Sequence, residues 1–299
     1  MCYDKEYQLR RQLKNAINDG LADESIIEIL QDLSKLTGHD YNDQADPLNI
    51  AWQALPEFYH VSGFSHPPLI VHGAMHPSKA IVAEWGFIPA WVKNESEAYD
   101  PRSPYNNNLN VQSKTMFEKK AFAKAARYGR CVIYIDAYYE SHHYKGKTYP
   151  FRIARKDGRP LIIAAICRKS KYLNRETGEE ITKNTVASLT CTANSMIEKI
   201  HNNPAMIKRT GHRMLVILEE SNVSDYLQRY PFELNEKPDP LEENIFQQEV
   251  LSVCQPLSEN QLEFHSVKNL RDRKLMPYVG NVPEITEPYI WPDLDYSRF

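Results

Sequence analysis

Over the first forty positions, apolar residues recur with the period of a helix. Leu9, Leu13 and Ile17 fall four apart. In "DESIIEILQDLSKLTG" a stripe runs through Ile26, Ile29, Leu30 and Leu33, with Asp23 as cap and Gly38 as stop. This predicts a helical segment over about residues 4–38. From Tyr59 the pattern changes to short β-rich runs: "PPLIVHG", "KAIVAEWGFIPAW", "RCVIYIDAYYE", "YPFRIARKDGRPLIIAAICR", "VASLTCTA" and "RMLVILEE". Asp157-Gly158 lies between two apolar stretches, which predicts a hairpin. Helical patterns return in "SKTMFEKKAFAKAAR", "NSMIEKIHN" and "SNVSDYLQRY". Strands outnumber helices and do not alternate with them, which argues against a parallel βαβ sheet. The predicted fold is α+β, a single domain over residues 1–299 with a mostly antiparallel, barrel-like β core flanked by helices. "ELNEKPDPLEENIF" reads as a polar linker, and the proline-rich tail over about 277–299 as extended across the surface.

Composition narrows the function. With 42% hydrophobic residues the chain can bury a sizeable core, and at net charge −3 it has no global field to attract a polyanion. Any nucleic-acid contact must then come from a local basic patch. No apolar run approaches the ~20 residues needed to span a bilayer. The polar, charged start predicts no secretory signal peptide. Cys2, Cys131, Cys167, Cys191 and Cys254 are odd in number and, apart from Cys2, sit in apolar runs. That pattern predicts reduced, buried thiols in a cytoplasmic protein, which we expect to be a monomer. His72 and His76 are four apart and His142-His143 adjacent, but no C-x-x-C or H-E-x-x-H accompanies them. No metal site and no cofactor is expected, and there is no G-x-G-x-x-G or G-x-S-x-G.

Four places carry candidate chemistry. Cys2 follows the initiator Met1, and if Met1 is removed it bears an α-amine and a thiol on adjacent carbons. Their reference pKa values, about 7.7–8.0 and about 8.5, give both nucleophilic fractions near neutrality. An aldehyde meeting that pair forms an imine, which sulfur closes to a five-membered thiazolidine. Alternatively the amine serves as base for the thiol, as in N-terminal nucleophile hydrolases. Glu140 ends the apolar run "VIYIDAYYE", where aromatic surroundings raise a carboxyl pKa and suit acid–base work. His201 closes "MIEKIHNNP", and His212 precedes an apolar strand in "TGHRMLVIL". Asn110, after Leu109, is placed to donate a fixed hydrogen bond from a buried side chain.

Taken in order, these segments resemble the SOS response-associated peptidase (SRAP) family, whose members cross-link to abasic sites in DNA. "MCYDKEY" resembles the family's Met-Cys start, and "YHVSGFSHPPLIV" its Y-N-V-A-P-like strand. "WGFIPAW", from Trp85 to Trp91, is similar to W-G-L-I-P-x-W. "NVQSKTMFEKKAF" is similar to the N-A-R-x-E-T segment, and "RCVIYIDAYYES" to the strand that bears the family's catalytic glutamate. "TCTANSMIEKIHNNPAMIKRTGHRMLVIL" is similar to the T-x-x-A-N…I-H and R-M-P-V-I-L segments. The likeness runs from Cys2 to about Leu218, and more weakly through "FHSVKN".

The resemblance implies that Cys2, Asn110, Glu140 and His201 form the catalytic set, with His212 as the alternative to His201 because ten residues separate the two. It implies covalent linkage of Cys2 to abasic sites in single-stranded DNA, with self-processing peptidase and lyase activity. Trp85, Trp91, Lys93, Gln112, Lys114 and Arg213 are the DNA-contact candidates by position. Four departures bear on the DNA grip: Gln112 stands for the family's arginine, Lys114 for its glutamate, Ser141 for its tryptophan and Leu215 for its proline. Losing the arginine removes a charge-assisted bond of about 1.5–3 kcal/mol. Two other readings stay open: a thiol peptidase or amidohydrolase using Cys2, Glu140 and His201, and a non-catalytic single-stranded DNA-binding module.

Overall fold

The first element is a strand. In "DKEYQ" the side chains alternate, and Lys5 and Tyr7 are buried on one face while Asp4 and Glu6 lie on the other. This strand, β1 (Asp4–Gln8), replaces the first turn of the predicted helical segment. The helices α1 (Leu9–Asn18) and α2 (Asp23–Thr37) follow, the second closed by Gly38 at φ 71°. Ala22, rather than Asp23, is the residue before its first turn. The computed structural model describes all residues except 1, 19, 42–47, 74–79, 101, 104–107 and 272–279, so His76 lies outside the described residues.

The chain continues through β2 (Glu57–Ser62), β3 (Pro68–Gly73), β4 (Ala80–Trp85), α3 (Glu95–Tyr99), β5 (Asn110–Gln112) and α4 (Ala123–Tyr128). Next come β6 (Arg130–Ile135), β7 (Ala137–Tyr144), β8 (Lys147–Arg155), β9 (Leu161–Leu173) and β10 (Glu180–Thr192). The last part holds α5 (Ser195–Ile200), α6 (Pro204–Thr210), β11 (Arg213–Leu215), β12 (Ile217–Leu218), α7 (Val223–Tyr226), α8 (Pro240–Ser252) and β13 (Leu262–Ser266). Strands β10, β4, β3, β6 and β9 pair in that order, and β9 pairs back onto β10, closing a five-stranded barrel. A second sheet has the order β13-β8-β7-β1-β2. Pairing is antiparallel apart from β4 and β5 on β10. The α+β, mostly antiparallel, barrel-like expectation therefore holds.

The turn at Asp157-Gly158 forms, with Gly158 at φ 71°, but β8 and β9 do not make a hairpin. Strand β8 pairs with β7 and β13, whereas β9 pairs with β6, β10 and β12. Residues Leu161 to Ile166 are buried at every position, so this stretch needs cover on both faces, which the barrel wall supplies. The predicted linker is also corrected from Pro240 on. Asp239 caps the Leu241 and Glu242 amides, Pro240 opens the helix, and Phe246 and Val250 of α8 are buried. The tail over 280–299 is pinned to the core: Trp291 Nε1 donates to Val267 O at 3.0 Å, and the Phe299 ring stands 4.8 Å from both His142 and Phe151. Among the described residues no helix is long and apolar enough to cross a membrane.

Candidate functional site

The segment before β1 is held from three sides. Gly63 N–H donates to Tyr3 O at 2.7 Å, and Asn110 Nδ2 donates to Cys2 O at 3.0 Å. Asn110 is placed by the parallel pairing of β5 with β10, in which it faces Ser188. The β1–β7 register sets Asp4 opposite Tyr139, which brings Glu140 alongside the residues that precede the strand. Asn194 caps α5 through the Ile197 amide, and His201 ends that helix. His201 Nδ1 lies 3.4 Å from Glu140 Oε2 and 3.3 Å from Arg213 O. Cys2, Glu140 and His201 are all buried.

Burial pushes the Cys2 thiol pKa well up, and the Glu140 carboxylate beside it pushes further the same way. The nearby Lys5 acts in the opposite direction. Among the described residues, Asn110 Oδ1, Glu140 Oε1, Tyr138 Oη and Arg213 Nε are buried polar atoms of this region without a hydrogen-bond partner. Such atoms are costly to bury unless something bonds to them. A site that must receive polar ligand atoms has this property. The structure thus gathers Cys2, Asn110, Glu140 and His201 in one place. His212 is not part of the Glu140 contact, and its Nδ1 has no hydrogen-bond partner among the described residues.

The predicted DNA contacts divide. Trp85 is 0% exposed, with its Nε1 donating to Leu109 O at 2.9 Å. It supports the site from below and no base can stack on it, which corrects that assignment. Arg213 is likewise buried, its Nη2 bonded to Thr190 O and Oγ1, so it is not a surface phosphate contact. It reaches the neighbourhood of Cys2 from inside. Trp91 (37% exposed), Lys93 and Lys114 are exposed, and Lys120 Nζ stands 5.7 Å above the Trp91 ring. Gln112 is half-buried, two residues after Asn110 and so on the same face of β5. Lys114 and Arg213 line a cleft of about 160 Å³ with Cys191 and Cys254. Among the described residues no group of His, Cys, Asp or Glu could hold a metal ion.

Sequence reasoning missed four residues at or near Cys2. Lys5 is fully buried, a position visible only once "DKEYQ" is read with a period of two. Tyr3 packs against Phe64 in a tilted pair, ring centroids 4.9 Å apart with 47° between the planes, and Phe64 is 43% exposed. Arg209 of α6 is exposed and close enough to Tyr3 to lower its pKa, which burial raises. No local pattern marks Phe64, because its partner is sixty-one positions away.

The fold and the site define an α+β barrel protein with a buried Cys–Glu–His cluster. The chain belongs to the SOS response associated peptidase (SRAP) family, whose model matches residues 34–270. A Bacillus subtilis relative, the abasic site processing protein YoqW, is 28% identical over 206 residues, 69% of this chain and 75% of that protein. The Saccharomyces cerevisiae abasic site processing protein YMR114C is 25% identical over 43% of this chain and 33% of its own length. Among solved structures, a Bacteroides thetaiotaomicron protein superposes with TM-score 0.65 at 21% identity, covering 97% of this chain and all of that one. A Bordetella bronchiseptica protein gives TM-score 0.55 at 19% identity over 90% of this chain.

Proposed function

We propose that this chain processes abasic sites in single-stranded DNA by joining them covalently to Cys2. The observation that carries the reading is the anchoring of Cys2 by Asn110 beside a buried Glu140–His201 pair. An abasic sugar in its ring-opened form is an aldehyde, an electrophile that can use both groups of an N-terminal cysteine. The names of the relatives in Bacillus and yeast point to the same substrate.

The chemistry begins with release of Met1, which the proposal assigns to the protein's own peptidase activity. The Cys2 amine then attacks the aldehyde carbon, and the carbinolamine loses water to give an imine. Sulfur adds to the imine carbon, the C=N pair returns to nitrogen, and nitrogen takes up a proton. Asn110 fixes the cysteine backbone so that amine and thiol face the same carbon. Glu140 takes and returns protons at the amine, carbinolamine and imine. His201 serves the sugar oxygen during ring opening and on reversal. Strand contacts come from the Tyr3–Phe64 pair, Arg209, Gln112, Lys114, Trp91 and Lys93, an aromatic and basic surface of the kind that tracks single strands.

The test is incubation of the protein lacking Met1 with a single-stranded oligonucleotide carrying one abasic site, followed by a denaturing gel. A denaturant-resistant band that requires both the abasic site and Cys2, and is absent in Cys2→Ala, supports the proposal. No band from protein whose mass shows Met1 removed would overturn it.

A further inference from the structure

The contacts that place His201 in the site are long. Its Nδ1 lies 3.4 Å from Glu140 Oε2 and 3.3 Å from Arg213 O, beyond the usual range for a strong N–H···O bond. The chain that follows does not anchor it either, because ten residues separate it from His212 and α6 among them has no buried residue. Shorter bonds flank it. Asn202, the next residue, accepts the His143 N–H on Oδ1 at 2.6 Å and donates from Nδ2 to His143 O at 3.1 Å. Lys199 O, two residues before His201, accepts from His142 Nδ1 at 2.8 Å.

Strand β7 has an edge free for this clamp. Strand β1 pairs with it only from Ala137 to Tyr139, and β8 occupies its other edge. From Glu140 on, the edge on the β1 side has no strand beside it among the described residues. The N–H and C=O of one strand residue point to the same edge, and a carboxamide presents an acceptor and a donor side by side. Asn202 thus stands where a partner strand would bond to His143. Glu140 and His142, two apart on one buried face of β7, meet His201 and Lys199, two apart at the end of α5. Asn203 extends the docking, donating from Nδ2 to His143 Nε2 at 3.2 Å while its Oδ1 caps the Ala205 and Met206 amides of α6.

We propose that Asn202 is a positioning residue for the Glu140–His201 pair. Its carboxamide, bonded to both backbone groups of His143, sets the separation of β7 and the end of α5 at which carboxylate and imidazole meet. It acts on the reaction through His201. The inference rests on the function proposed above only for the reaction whose rate it changes.

The tautomer of His201 reads that geometry without DNA. A ring nitrogen between two acceptors carries the proton of the neutral ring. Nitrogen NMR of histidine-labelled protein, with the signal assigned by its loss in His201→Gln, should therefore show the Nδ1–H form. In Asn202→Ala the ring leaves its acceptors, and the Nε2–H form should grow in. Cross-linking at saturating abasic strand should fall about 10²-fold, the cost of misplacing a reacting group by about 1 Å. Affinity for intact single-stranded DNA should stay at the wild-type value. Asn202→Asp still accepts the His143 N–H but has no donor for its carbonyl, so it should move both readouts the same way and serves if Asn202→Ala does not fold. A wild-type Nε2–H signal, a tautomer unchanged in the variant, or a variant that cross-links at the wild-type rate would overturn the proposal. A changed tautomer in the variant, with no adduct on abasic DNA even from wild type, would support the Asn202 role and overturn the proposed substrate instead.

Discussion

Nδ1 of His201 faces two oxygens, Glu140 Oε2 at 3.4 Å and Arg213 O at 3.3 Å. A ring nitrogen between two acceptors carries the proton, which leaves Nε2 as the unprotonated nitrogen of the neutral ring. Glu140 thus orients the histidine on one side and faces the Cys2 thiol on the other. The same carboxylate that helps the histidine makes the thiol harder to ionise.

That double role gives two readouts that move in opposite directions. In Glu140→Gln the negative charge beside Cys2 is gone, so the thiol pKa falls and alkylation of Cys2 at fixed pH accelerates. Adduct formation on abasic DNA should slow by about 10²-fold, because the proton carrier is gone. Kinetics of both reactions on one preparation check this. Parallel loss of both would point to a structural defect rather than to acid–base work.

Lys5 predicts a pH-dependent stability difference. Its folded pKa of about 7 lies below the unfolded value, so above pH 7 the unfolded chain holds a proton that the folded chain lacks. Wild-type stability relative to Lys5→Met should therefore rise by about 1.4 kcal/mol per pH unit from there towards the unfolded pKa of about 10.4. At and below pH 7 Lys5→Met should be the more stable protein, because the variant buries no ammonium. Urea titrations of both proteins at several pH values measure it.

Phe64 is large, apolar, 43% exposed and packed at a tilt against Tyr3, the residue next to Cys2. A base stacked on an aromatic platform is worth about 1–3 kcal/mol. Phe64→Ala should weaken binding of intact single-stranded DNA by that amount, read by fluorescence anisotropy, with the thermal midpoint little changed.

Gln112 lies on the same face of β5 as Asn110, at the position where the family resemblance expects arginine. Gln112→Arg should tighten single-strand binding and steepen its salt dependence by about one phosphate contact, a change near 0.7 in the logarithmic slope. Titrations at several salt concentrations decide it, and an unchanged slope would mean that the side chain does not face the strand.

The fold class was legible because runs such as "RCVIYI" and "PLIVHG" really are strands. Pairing was less so. Asp157-Gly158 has the residues of a hairpin turn, yet the strands on either side join different sheets, a choice made by long-range burial. Asp4 to Gln8 were masked by the helical spacing that starts at Leu9, and with them the inward position of Lys5. Asn110, Glu140 and His201 could be named from their segments, and their meeting depends on the β1–β7 and β5–β10 registers. Trp85 shows the converse limit. A tryptophan in a family-like segment says nothing about which way it points, and this one points inward.

The most direct test of the central claim is the chemical form of the adduct, read by intact mass after denaturation without any borohydride reduction. The account predicts a mass equal to the protein lacking Met1 plus the abasic oligonucleotide less one water. It also predicts that Cys2 alone among the five cysteines resists alkylation in the denatured adduct. An adduct that appears only after reduction, or that leaves Cys2 open to alkylation, would contradict it, because a simple imine would then account for the link.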